Sequence, residues 1–124
     1  MIDVKKISNL VYSTLRETNR LAGRDVGRPF YALNEGLQAA WVQAVGSLLA
    51  SDVPPEPAAC HRAWQLICLR NGWRYGDQFQ RRLKKHPAMR GWDEADFDEH
   101  ERAVFITMAT QLTPIWKEMK HERN

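Results

Sequence analysis

Apolar residues in this chain recur at helical spacing, and glycines and prolines cut the recurrence at definite places. That punctuation predicts a mainly α fold of about five helices. Val4, Ile7, Val11 and Leu15, with Leu10 beside them, follow the i, i+3, i+4 stripe of an amphipathic helix over residues 3–22. Asp3 is placed to cap its start and Gly23 to stop it. Residues 23–33 read as a loop, with Phe30, Tyr31 and Leu33 anchored on the core and Arg24 and Arg28 exposed. Asn34 is a good N-cap for a second helix through about Ala50. Leu37, Trp41, Ala44 and Leu48 form its stripe, widened by Ala40, Val45 and Leu49, so this helix is predicted to be central.

Three prolines stiffen the connector from Ser51 to Pro57. A third helix is predicted from about Glu56 to Arg70, with Cys60, Ala63, Trp64, Ile67 and Cys68 facing inward, and Asn71-Gly72 supplies a left-handed stop. Trp73 and Tyr75 alternate around Arg74, so a short extended segment would put both rings on one side. Residues 78–92 are less regular. Phe79 and Leu83 stand at i, i+4, which suits a helical turn, and Lys85-His86-Pro87 ends it because the residue before proline avoids the α region. Asp98 and Glu101 have the spacing of a capping box. Glu101, Phe105, Met108 and Leu112 share one line of the following helix. Thr113-Pro114 either kinks that helix or begins a fifth one bearing Ile115, Trp116 and Met119. The last five residues, KHERN, are expected to fray.

A chain of 124 residues is one domain by length, and 44% hydrophobic with 27% charged residues suits a folded core. The net charge is +3, too small to demand a nucleic-acid partner. Its placement says more. Between residues 62 and 85 seven Lys and Arg face one acid, Asp77, whereas Asp93, Glu94, Asp96, Asp98, Glu99 and Glu101 follow with no Lys or Arg among them. These blocks either pair or form separate solvated faces. Cys60 and Cys68, eight residues apart on one helix, are separated by about 12 Å, beyond disulfide reach. Free thiols imply a reducing compartment. Charges at Asp3, Lys5 and Lys6 interrupt any signal-peptide core, and no run of 18 apolar residues spans a membrane. The expected location is cytoplasm, of a bacterium or of an infected host cell.

Between Cys60 and Pro87 lie both cysteines, two of the four histidines and two of the five tryptophans. His61 is followed three residues on by Trp64, then by Gly72-Trp73, Tyr75-Gly76, and Lys85-His86-Pro87 at the far side of a loop. This pattern resembles the RyR domain, the repeat named after ryanodine receptors, which also occurs as stand-alone bacterial and phage proteins. Met89, Trp92, Phe97 and the acids before Arg102 are similar to the family's continuation. The resemblance covers roughly residues 55–112, leaving residues 1–54 as a helical extension packed on an RyR-like unit of residues 55–124. Two places depart from the family: Cys68 stands where a Lys is common, and Glu101-Arg102 where Asp-Arg is common. The resemblance implies a recognition or scaffold module without a known catalytic role, and no catalytic residue, cofactor or metal is expected.

His61, Trp64, Trp73, Tyr75 and His86 are the predicted ligand-binding residues. Aromatic walls, a convergent cation and imidazole donors suit a nucleotide or another planar anion. The competing reading is a structural cluster whose rings fill the core. Arg74, Arg81, Arg82, Lys84 and Lys85 form a candidate basic patch, and a nucleic-acid-binding accessory protein using it is the alternative function. A protein partner or self-association into a homodimer also stays open. Cys60, His61, Cys68 and His86 lack zinc-site spacing, and there is no EF-hand loop, Gly-rich phosphate loop or G-x-S-x-G elbow.

Overall fold

Four helices occupy the places of the apolar stripes in the computed structural model, which describes residues 2–24, 26–94, 97 and 99–123. They are α1 (Val4–Leu21), α2 (Glu35–Ala50), α3 (Pro57–Arg70) and α4 (Glu99–Arg123). Their ends follow from local chemistry. The Asp3 carboxylate accepts from the Lys5 and Lys6 N–H groups at 3.0 and 3.2 Å, and the Asn34 side chain accepts from Leu37 N–H at 2.8 Å. Pro57 sits in the first turn of α3, where a missing N–H costs nothing. Gly23 and Gly72 end α1 and α3 in the left-handed region, at φ +81° and +85°.

The chain is mainly α and builds one core. Val11 and Leu15 of α1 and Trp41, Val45 and Leu49 of α2 meet Cys60 and Ile67 of α3 and Val104, Phe105, Met108 and Leu112 of α4. Residues 1–54 therefore supply part of the same core that the downstream helices share.

The separate fifth helix is not formed. α4 runs unbroken through Pro114. Proline removes one backbone hydrogen bond there, and the second half of α4 is held from outside instead. Trp116 Nε1–H donates to Ser51 O at 2.8 Å, and Lys120 Nζ donates to Asp52 O at 3.2 Å. The same contacts fasten the proline-rich connector, so the expected fraying does not begin at Lys120. The other half of the predicted capping box, Asp98, lies outside the described residues. Glu101 is buried and its Oε1 pairs with Arg24. Arg24, expected to be exposed, is therefore tied to α4 with its side chain 15% exposed, while Tyr31, expected to anchor, is 57% exposed.

No α-helix forms over residues 78–92. Two short parallel strands, β1 (Arg74–Tyr75) and β2 (Lys85–His86), pair with Arg74 opposite Lys85 and Tyr75 opposite His86. Arg74 N–H donates to Lys84 O at 2.9 Å, and Gln80 and Lys85 exchange backbone hydrogen bonds at 2.9 and 3.0 Å. Those bonds fold residues 80–85 back on themselves, with Lys84 at φ 54°. The i, i+4 spacing of Phe79 and Leu83 thus means nothing: Phe79 packs inward and Leu83 is 63% exposed. No described helix is long and apolar enough to cross a membrane.

Candidate functional site

Two of the predicted site residues meet through one peptide segment. His61, on α3, is buried and ringed by Trp92, Phe97 and Phe105 at centroid distances of 5.6, 5.2 and 5.1 Å. Its Nε2–H donates to Ala88 O at 2.8 Å. His86, at the end of β2, takes the other side of the same residue: its Nδ1 accepts from Ala88 N–H at 3.0 Å. Burial pushes the His61 imidazole below its ordinary value, against the opposing pull of the Ala88 carbonyl and Glu101. His86 is pushed down to about 3 by burial first, then by the Arg24 charge and by His61. At neutral pH, His86 is uncharged.

Around His86 the aromatic rings close in. Trp64 stands at 4.9 Å, Phe79 at 5.4 Å and Trp73 at 6.1 Å, all edge-on. These four side chains line a cavity of about 460 Å³. Tyr12 and Arg16 of α1, Trp41 of α2, the 26–28 loop and Arg81 complete it. Arg16 Nε–H donates to Gly27 O at 2.8 Å, and Tyr12 O–H donates to Arg28 O at 2.6 Å, so α1 holds the loop in place. Arg81 lies directly above Gly27, where an added Cβ would stand 2.9 Å from its Nη2. Burial pushes the Tyr12 hydroxyl up, while Arg16 and Arg81 act against it. Three arginines, Arg16, Arg28 and Arg81, line the cavity, and no acid does among the described residues.

Of the five predicted ligand-binding residues, Trp64, Trp73 and His86 line this cavity. His61 does not; it is the floor support behind His86. Tyr75 is elsewhere. It is 42% exposed, its O–H donates to Asp77 Oδ1 at 2.7 Å, and the Arg90 guanidinium lies 4.9 Å over its ring. Alternation fails because Trp73 precedes the two-residue ladder. Its N–H still donates to Cys68 O, so the end of α3 aims that ring, and the strand pairing aims Tyr75.

All five residues of the basic patch are exposed. Arg81 also lines the cavity, Lys84 Nζ donates to Asn71 O at 2.6 Å, and Arg74 Nη1 donates to Trp73 O at 2.8 Å. Burial pushes both thiols, Cys60 and Cys68, up to about 12, so they are protonated at neutral pH and are free cysteines. Among the described residues no three His, Cys, Asp or Glu side chains gather as a metal site.

Sequence reasoning missed Tyr12, Arg16, Trp41 and Phe79 as cavity residues. Tyr12, Arg16 and Trp41 sit on or beside apolar stripes, which read as core, and nothing local brings residue 16 to residue 81. Comparison with protein-family models, with curated proteins and with solved structures found no match.

Proposed function

We propose that the protein is a non-enzymatic, RyR-like binding module whose cavity takes a small anionic, nucleotide-like ligand. The observation that carries this reading is one cavity lined both by the rings of Trp64, Trp73, Phe79 and His86 and by arginines, with no acid among its described lining residues. A base stacked on an aromatic ring gains about 1–3 kcal/mol. A phosphate hydrogen-bonded to a guanidinium gains about 1.5–3 kcal/mol. Together these, about 2.5–6 kcal/mol, correspond to a Kd between roughly 15 mM and 40 μM before any further contact. The protonated thiols and the uncharged His86 offer no nucleophile or charged acid near pH 7. The similarity of the His61 to Pro87 pattern to RyR domains supports the same reading. So does the convergence of Trp64, Trp73 and His86.

A nucleic-acid contact through Arg81–Lys85 is the weaker proposal. Arg81 of that segment also lines the cavity, and Lys84 Nζ is already used on Asn71 O.

Isothermal titration with AMP, GMP, CMP and UMP tests the cavity. Wild type is expected to bind at least one of them, with Trp73→Ala weakening that binding about tenfold or more and Tyr75→Phe leaving it unchanged. Equal affinity in a folded Trp73→Ala protein would remove the cavity from the account. Steep salt-dependent retention of DNA with no nucleotide binding would favour the basic segment instead.

A further inference from the structure

Resting on the nucleotide-like reading above, we propose that His86 is a ligand-recognition residue, a fixed hydrogen-bond donor that selects an acceptor atom on the planar part of the ligand. Backbone geometry sets the imidazole's protonation. Ala88 N–H can only donate, so His86 Nδ1 must accept, and in the neutral ring the proton is on Nε2. His61 locks the same arrangement from behind by donating to Ala88 O. Rotating the His86 ring would strand the Ala88 N–H inside the core.

The remaining edge of the ring has a different situation. His86 is only 5% exposed and lines the cavity, yet Nε2 has no hydrogen-bond acceptor among the described residues. Nor is that nitrogen sealed from solvent, since the only fully sealed, unpartnered side-chain atom among the described residues is Gln111 Oε1. An N–H that faces the cavity in this way can donate to an occupant that supplies an acceptor in place of solvent. Arg16 of α1 lines the same cavity and spends its Nε–H on Gly27 O, so its other N–H groups can meet the anionic part of the same ligand. The ligand class that satisfies both residues is a planar ring bearing a carbonyl oxygen or an unprotonated ring nitrogen, joined to a phosphate or carboxylate. A ring presenting only amino groups at that edge would set donor against donor.

Two substitutions separate the two edges of the imidazole. In His86→Asn the side-chain oxygen can replace Nδ1 and keep the Ala88 N–H satisfied, but nothing reaches the position of Nε2. In His86→Gln the amide N–H can reach the Nε2 position, while the Ala88 N–H loses its acceptor. Titrations use whichever of AMP, GMP, CMP and UMP binds wild type. The expected result is at least about a tenfold loss of affinity in His86→Asn and a smaller loss in His86→Gln. Nitrogen NMR of histidine-labelled protein is expected to show His86 protonated on Nε2 alone, with that resonance moving when the nucleotide binds. A folded His86→Asn protein with wild-type affinity overturns the proposal while leaving the cavity reading intact. So does an Nδ1-protonated His86, or an Nε2 resonance that ignores the bound nucleotide because the N–H is already spent on the Trp64 ring face. Failure of all four nucleotides to bind wild type overturns the cavity reading, and this proposal falls with it.

Discussion

His61 and His86 hold opposite ends of one residue: the first donates to the carbonyl of Ala88 and the second accepts from its N–H. The two imidazoles come from sequence positions 25 apart, on α3 and β2. Through Ala88 they fix how the segment after β2 returns to the core, and they leave His86 lining the cavity.

That arrangement has an acid-stability consequence. Folded His86 stays neutral down to about pH 3, whereas in the unfolded chain it takes up a proton below its ordinary value of 6.5. The unfolded state therefore binds more protons between those limits, and stability present above pH 6.5 is lost as pH falls towards 3. For one such histidine the loss between pH 7 and pH 5 is on the order of 2 kcal/mol. Burial shifts His61 in the same direction. Urea unfolding at both pH values is expected to show a marked drop for wild type and a smaller one for His86→Asn. Identical drops in the two proteins would contradict the assignment.

The buried ion pair between Arg24 and Glu101 joins the 22–29 loop to the first turn of α4, with side-chain exposures of 15% and 3%. Removing one partner strands the other. Glu101→Ala is expected to lower stability by about 3–5 kcal/mol, and the double change Arg24→Met with Glu101→Leu to lower it much less. Equilibrium unfolding of the three proteins checks this, and equal losses for the single and double variants would argue against a paired charge.

Gly27 and Gly76 are both crowded, with different expected outcomes. A Cβ on Gly76 would sit 2.8 Å from Lys85 Cβ, an atom held by the β1–β2 pairing. Gly76→Ala is expected to cost about 1–3 kcal/mol. At Gly27 the obstacle is the guanidinium of Arg81, the far end of a long side chain. Gly27→Ala should cost little stability but displace that guanidinium, so nucleotide affinity should fall while the melting temperature hardly moves. A large loss of stability in Gly27→Ala would refute the distinction.

Trp116→Phe keeps the ring and deletes the donor to Ser51 O. The expected loss is about 1 kcal/mol, measured by urea unfolding. No loss would mean that the α4 continuation past Pro114 does not depend on this bond.

Much of the architecture was legible from spacing alone. The stripes in residues 4–15 and 37–49, the Asn34 cap and the Asn71-Gly72 stop each express an interaction made within a turn or two of chain, and each was realised where expected. Residues 78–92 were not legible, because their form depends on pairing between β1 and β2 and on exchange between Gln80 and Lys85. Pro114 was ambiguous for the same reason: whether a proline ends a helix depends on what holds the far side, here Ser51 and Asp52.

The sequence by itself determined the mainly α class, the caps and the concentration of rings around His61, Trp64, Trp73 and His86, since periodicity and turn chemistry are local. Only the tertiary structure decided that Tyr75 faces solvent, that Arg24 is buried against Glu101, and that Arg16 and Arg81 share a cavity with His86. Those outcomes depend on which distant surfaces exclude water together, and burial of that kind is a property of the packed whole.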